Sequence, residues 1–174
     1  MILVPAGEFL MGEGDDVHSV YVPAFYIAKY PVTNAAYQPF VDSTGYAAPG
    51  HWRGVYPHAL NDHPVVNVSW HDALAYCSWL SETTGHPYRL PTEAEWEKAA
   101  RGADGRVYPW GNVFDKAKCN GWEAGLGWTA TVDCHAAGAS PYGVMDLVGN
   151  VWEWCSSLHA DYPYRADDGA GSAM

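Results

Sequence analysis

Two carboxylates and four thiols carry most of the chemistry available to this sequence. Asp146 and Glu153 stand at the ends of the run Asp-Leu-Val-Gly-Asn-Val-Trp-Glu. Hard oxygens gathered on a short loop suit calcium, which takes about six to eight oxygens from carboxylates and main-chain carbonyls. The same pair also reads as two solvated loop carboxylates, or as a Glu153 held by a buried arginine. The cysteines are Cys77, Cys119, Cys134 and Cys155, with no Cys-Xaa-Xaa-Cys among them, so nothing indicates a zinc ribbon or a thioredoxin-type site. Cys119 and Cys134 flank a glycine- and tryptophan-rich loop and could pair, while Cys77 reads as a small buried hydrophobe on a helix. The histidines are scattered without a His-Glu-Xaa-Xaa-His motif, and His58 and His63 read as solvated loop residues.

The elements that must position these groups are legible from caps and breakers. Ile2 to Val4 and Phe9 to Met11 read as short strands around a Pro-Ala-Gly turn, and Val20 to Tyr30 as a strand that Pro23 marks as an edge or a bulge. Thr33 can cap a helix through Phe40 and Val41 that ends near Gly45. Ser69 with Asp72 is a capping-box start, Ala73, Leu74, Cys77 and Leu80 repeat at helical spacing, and Gly85 stops that helix. Thr92 with Glu95 opens a third helix that runs to Arg101 before Gly102. No helix is indicated beyond Gly102. Leu74, Cys77, Leu80 and Trp96 are the expected buried positions, and Arg89, Glu93, Glu95, Glu97 and Arg101 read as surface pairs with one or two anchors.

The formal net charge of −11 over 174 residues argues against nucleic acid and anionic membranes as partners. Charged residues are 17% and hydrophobic ones 48%, which argues against wholesale disorder. No apolar run approaches the length that spans a bilayer, and the N-terminus lacks a signal-peptide pattern, so a cytoplasmic location is the expectation. The 18 Gly and 12 Pro, beside 9 Trp and 12 Tyr, point to long irregular segments packed by aromatic side chains. Trp70, Trp79, Trp96, Trp110, Trp152 and Trp154 read as core, and Trp52, in Gly50-His-Trp-Arg-Gly54, as the exposed recognition residue.

Six blocks then occur in order: Val4 to Gly12, Ile27 to Asn34, His63-Pro-Val-Val-Asn-Val-Ser-Trp70, Tyr88-Arg-Leu-Pro-Thr-Glu-Ala-Glu-Trp96 through Gly102, Tyr108-Pro-Trp-Gly111, and Pro141-Tyr-Gly-Val-Met-Asp146 through Trp154. Together they resemble the formylglycine-generating-enzyme, or sulfatase-modifying-factor, domain family across nearly the whole chain. The resemblance implies a loop-rich α+β fold with few helices and short strands, distantly similar to C-type lectins. It implies one such domain over 1–165, lacking the family's C-terminal strands, and a flexible tail over 166–174. The family includes an oxidase that converts a sulfatase cysteine to formylglycine, as well as non-catalytic ligand-binding and kinase-attached domains.

The resemblance also assigns sites. It makes Asp146, Gly149, Val151 and Glu153 ligands of a structural calcium ion, two through side chains and two through carbonyls. Asn120 and Gly121 match the start of a second calcium site whose later aspartate has no clear counterpart. The family's oxidase holds copper(I) on two neighbouring cysteines after the Trp-Glu-Trp block, where soft thiolates are needed. Here that block is followed by Cys155 and then by no further cysteine, and Cys155 matches neither catalytic position. No catalytic residue is therefore assigned, and copper belongs only to an oxidase reading. The expected function is a calcium-stabilised binding or scaffold module for a protein or peptide ligand. The alternatives are a portion of the oxidase, completed by a missing C-terminal segment or a partner chain, and a sensor domain of a signalling protein.

Overall fold

The computed structural model describes residues 1–158. The last part of the expected domain and the expected tail at 166–174 lie outside the described residues.

Residues 2–27 form an antiparallel ribbon with a break in it. Strand β1 (Ile2–Val4) pairs with β4 (Phe25–Ile27), and β2 (Gly7–Met11) pairs with β3 (His18–Val22). Both halves keep one register, Val4 opposite Phe25 and Gly7 opposite Val22. The gap falls at Pro5 and Pro23, which have no N–H to give to a ladder. The single strand expected from Val20 to Tyr30 is thus two, β3 and β4, split by Pro23.

Lys98 fills the break. It is 2% exposed, and its Nζ donates to the carbonyls of Pro5 (2.8 Å), Gly7 (2.8 Å) and Val22 (3.4 Å). Pro5 lies in the gap, and Gly7 and Val22 face each other at the first rung of the β2–β3 ladder, so one ammonium bridges the two edges of the break. Burial holds the Lys98 ammonium below its usual pKa. On the ribbon, Phe9, Met11, Val20 and Val22 point into the core, and Leu10 and Tyr21 point out, the period-2 pattern of a half-buried sheet.

The helices are α1 (Asn34–Thr44), α2 (Trp70–Thr84) and α3 (Glu93–Arg101). Ser69 with Asp72 and Thr92 with Glu95 both form complete capping boxes, and Gly45 and Gly85 end their helices in the left-handed region. Helix α3 lies on β2 and β3 through Ala94 and on Val4, Val144 and Leu147 through Ala99 and Ala100, where small side chains permit close approach. Helices α1 and α2 enclose an aromatic cluster of Tyr37, Phe40, Trp52 and Tyr76. From Gly102 to Leu158 the described chain has only 3-10 turns and irregular backbone. Among the described residues no helix is long and apolar enough to cross a membrane.

Most burial expectations fail. In α2 the inward face carries Tyr76 with Ala75, Trp79 and Leu80, and the expected buried positions Leu74, Cys77, Leu80 and, in α3, Trp96 are only partly buried, as are Trp70, Trp79 and Trp110. The larger aromatic rings rotate the helix toward α1, since they remove more apolar area from water than leucine does. Trp52 is 5% exposed and belongs to the core, whereas Trp152 is fully exposed and Trp154 is half exposed. The expected ion pairs form as pairs. Arg89 grips Glu95 with two bonds of 2.6 Å, and Arg101 pairs with Glu97 and also donates to the Gly12 carbonyl.

Candidate metal centre

The segment Ser140 to Ser157 has little regular structure, so its shape comes from side-chain bonds and unusual backbone torsions. The Ser140 amide donates to the Val144 carbonyl and the Met145 amide to that of Lys29, both at 2.8 Å. Val144, Met145, Asp146 and Leu147 are consecutive and buried. Asp146 (φ 59°), Gly149 (φ 80°) and Asn150 (φ 62°) all lie in the left-handed region, which turns the chain sharply. A left-handed Asp or Asn persists only where its surroundings over-determine it.

Asn150 supplies much of that determination. Its Oδ1 accepts from the Ala130 amide (2.8 Å), and its Nδ2 donates to the Ala130 carbonyl (3.2 Å) and to Asp146 Oδ2 (2.9 Å). Asn120 joins from the other side. Its carbonyl accepts from the Asn150 amide at 2.9 Å, its Nδ2 donates to Asn150 Oδ1 at 3.2 Å, and it bridges to Gly149 as a parallel partner. The residues assigned to two separate calcium sites therefore meet: Asn120 lies against the Gly149 loop, with Gly121 next to it.

Gly149 is required twice over. Besides its positive φ, a Cβ there would lie 2.6 Å from the Asn120 carbonyl oxygen and 2.8 Å from its carbon. Gly143 (φ 90°) has open space where its Cβ would go. Gly143→Ala should thus cost about 1 kcal/mol from torsion alone, and Gly149→Ala about 2–3 kcal/mol. Urea unfolding midpoints of the two variants check this; equal costs would refute the close approach.

Asp146 and Glu153 sit in this frame as poorly solvated acids. Asp146 is 8% exposed, and burial raises its pKa against the opposing bond from Asn150. Burial pushes the Glu153 carboxyl up to about 7, opposed by the bond from Trp96 Nε1 to Oε2 (3.0 Å) and reinforced by the charge of Asp146. Glu153 thus feels the Asp146 charge directly, and neither carboxylate has an arginine or lysine bonded to it among the described residues. Asp146 is not a solvated loop residue, and Trp96 holds Glu153 in place of an arginine.

Asp146 and Glu153 carry hard oxygens of the kind calcium takes. The Asp146 Oδ1 and Glu153 Oε1 atoms have no hydrogen-bond donor among the described residues, and they belong to two mutually repelling anions. No group of three or more His, Cys, Asp or Glu gathers anywhere in the described residues.

The thiols lie differently. All four are free, so Cys119 (buried) and Cys134 (exposed) are not paired. Burial pushes the Cys155 thiol up to about 12, with the charges of Glu153, Glu93 and Glu95 adding to it. Burial also raises Cys77 and Cys119. Sequence reasoning missed Asn150 as the organiser of the loop, and it gave Trp122 and Trp128 no role. Both indoles stand exposed beside Asn120, at 94% and 55%. The Gly121-Trp-Glu-Ala-Gly-Leu-Gly-Trp128 spacing, with three glycines in eight residues, was the available signal.

Known proteins resemble this chain in sequence and fold. The chain is 33% identical over 219 aligned positions to the formylglycine-generating enzyme of Thermomonospora curvata, covering 90% of this chain and 70% of that one. It is 33% identical over 232 positions to inactive C-alpha-formylglycine-generating enzyme 2 of Bos taurus, covering 98% of this chain and 75% of the relative. The structure of PvdO from Pseudomonas aeruginosa superimposes with a TM-score of 0.75 at 29% identity, covering 91% of this chain and 70% of that one. The description of the sulfatase-modifying factor enzyme 1-like domain matches residues 1–172, and the chain belongs to that family.

Proposed function

We propose that this chain is a calcium-stabilised binding or scaffold module of the sulfatase-modifying-factor family and is not itself an oxidase. The observation that carries the reading is the pair of buried Asp146 and half-buried Glu153, two acids with raised pKa values and no arginine or lysine bonded to either among the described residues. Asp146 and Glu153 would hold the ion through side-chain oxygens, with carbonyls of the Gly149 to Val151 turn completing its shell. Bound there, the ion supplies positive charge that ties irregular backbone together and does no chemistry. Asn150 orients Asp146, and Trp96 orients Glu153.

The placing of the cysteines in the sequence supports the non-catalytic half of the reading. A copper(I) site needs neighbouring thiolates, and Cys155 matches neither catalytic position of the family and has no second cysteine near it in sequence. One relative carries the name of an inactive formylglycine-generating enzyme. The oxidase reading is favoured by the name of the Thermomonospora relative. Mass spectrometry of a Cys-Xaa-Pro-Xaa-Arg peptide incubated with the protein, copper(I) and oxygen separates the two. The expected outcome is an unchanged thiol. Copper-dependent conversion to formylglycine that Cys155→Ser abolishes would establish the oxidase.

A further inference from the structure

The outward face of the β1–β4 ribbon is apolar where water should meet polar side chains. Six ladder positions alternate away from the core: Leu3, Glu8, Leu10, Ser19, Tyr21 and Tyr26. An antiparallel sheet with one wet face carries polar residues at such positions. Only Glu8 and Ser19 conform. Leu3 is 51% exposed, Tyr21 62% and Tyr26 65%. Leu10 is exposed too and leans on the turn at Gly105. The break between the two halves shows only Pro5, Ala6, Pro23 and Ala24, all exposed, so no polar side chain interrupts the patch there. A continuous apolar face of this kind marks an interaction surface.

The face carries its own complement. Tyr26 stands opposite Leu3 on one side of the break, and Tyr21 opposite Glu8 on the other. Neither tyrosine hydroxyl nor the Glu8 carboxylate has a partner among the described residues. None of the six positions is basic, and the formal net charge of the chain is −11. An acidic partner is therefore repelled, and a basic one finds a single acid on the face. A second copy meets both requirements. A twofold axis at the break lays the Leu3–Tyr26 pair of one copy on the Glu8–Tyr21 pair of the other. Apolar surface then covers apolar surface, and the tyrosine hydroxyls supply donors for Glu8.

The area is sufficient for a weak contact. The ribbon is roughly 33 Å long, and its outward side chains present roughly 600 Å². Two such faces bury about 1,200 Å², the lower end of what specific complexes bury. We propose that the outward face of the ribbon joins two copies of this chain in a weak twofold dimer. The inference is independent of the metal centre, whose residues take no part in it.

Sedimentation velocity of the whole chain in calcium, from about 1 μM to about 1 mM, tests it. The sedimentation coefficient should rise with concentration to that of a dimer and stop there. The like charges of the two copies oppose association and salt screens them, so raising sodium chloride from about 20 to about 500 mM should tighten the dimer several-fold. Tyr26→Glu sets a carboxylate against Glu8 of the other copy and should weaken the dimer more than about tenfold. Tyr21→Ser should weaken it about tenfold. Both positions are exposed, so at about 1 μM the variants should keep the parent melting temperature. Trp152→Ala removes a fully exposed indole from another face and should leave the dimer unchanged. A monomer at about 1 mM, association beyond a dimer, weakening by salt, or loss with Trp152→Ala in place of the tyrosine variants would overturn the inference. So would a monomer whose melting temperature falls with Tyr26→Glu, because the chain would then cover this face itself.

Discussion

EDTA should lower the melting temperature of this protein by about 5–10 °C at pH 7.5, and calcium should restore it. The size follows from linkage. An ion that binds only the native state stabilises it by RT ln(1 + [L]/Kd), about 2.7 kcal/mol at a hundredfold excess. A domain of this size moves by about 2–4 °C per kcal/mol. Magnesium should restore little, because it demands a smaller octahedral shell and keeps its waters. A melting curve indifferent to EDTA and calcium would refute the proposed site.

The pH dependence gives a second signature of the same pair. Without the ion, Glu153 has a folded pKa of about 7 against an ordinary 4.5. Between those values the native state binds more protons than the unfolded state, so stability falls as pH rises. The loss is complete above pH 7 and amounts to about 3 kcal/mol from Glu153 alone. Asp146 is shifted in the same direction and adds to it. The metal-free protein should thus melt higher at pH 5 than at pH 7.5. With calcium the order should flatten or invert, because ligation requires the deprotonated acids. Glu153→Gln should remove the calcium response and, in EDTA at pH 7.5, should melt above the parent. Its side-chain oxygen can still accept from Trp96 while no charge is buried. A Glu153→Gln variant less stable than the metal-free parent would mean that the carboxylate is satisfied by something other than a cation.

Local signals in the sequence carried the helices well and the irregular half poorly. Ser69 with Asp72, Thr92 with Glu95 and the glycines after α1 and α2 act within four residues, so a reading along the chain finds them. Pro23 announced a defect in its strand, but the partner break at Pro5 and the role of Lys98 depend on pairings across the ribbon. Asn150 reaches Ala130 and Asn120, which are 20 and 30 positions away, and nothing periodic marks such a contact. The acids of the candidate site were legible by type and spacing, but their burial was not. The tryptophans were misplaced for a related reason. An indole is equally at home in a core and on a surface with one face wet. What decides is whether its N–H finds a partner inside, and for Trp52 that partner is Asn34, 18 residues earlier.

Trp52 and Asn34 set the largest single cost expected in the protein. Trp52 packs edge-on against Tyr56 and Tyr37 with ring centroids at 4.9 and 6.4 Å. Its Nε1 donates to Asn34 Oδ1 at 2.7 Å. The Asn34 side chain is fully buried, and its Nδ2 donates to the carbonyls of Leu60, His63 and Pro64. Since Nδ2 is the donor, Oδ1 is the acceptor, and His51 must carry its proton on Nε2 to reach it at 2.9 Å. Helix α1 is anchored by the same loop: the Asn34 amide donates to the His63 carbonyl, the Ala35 amide to that of Asn61, and the Ala36 amide to Thr33 Oγ1. Its otherwise orphaned first-turn donors are thereby satisfied. Trp52→Ala should cost about 3–5 kcal/mol, the range for a large aromatic removed from a core. A surface recognition residue would cost under about 0.5 kcal/mol. Trp52→Phe keeps a ring and removes the N–H, leaving one lone pair of Asn34 without its donor, and should cost about 1–3 kcal/mol. Asn34→Ala strands Trp52, His51 and the loop carbonyls together, so its cost should exceed that of Trp52→Phe. Because the two residues share one bond, the double variant should fall short of additivity by about 1 kcal/mol or more. Guanidinium unfolding of the parent, the three single variants and the Asn34→Ala/Trp52→Phe double variant measures all of this. Strict additivity would mean that the indole N–H and Asn34 contribute independently, and that packing alone holds Trp52 in place.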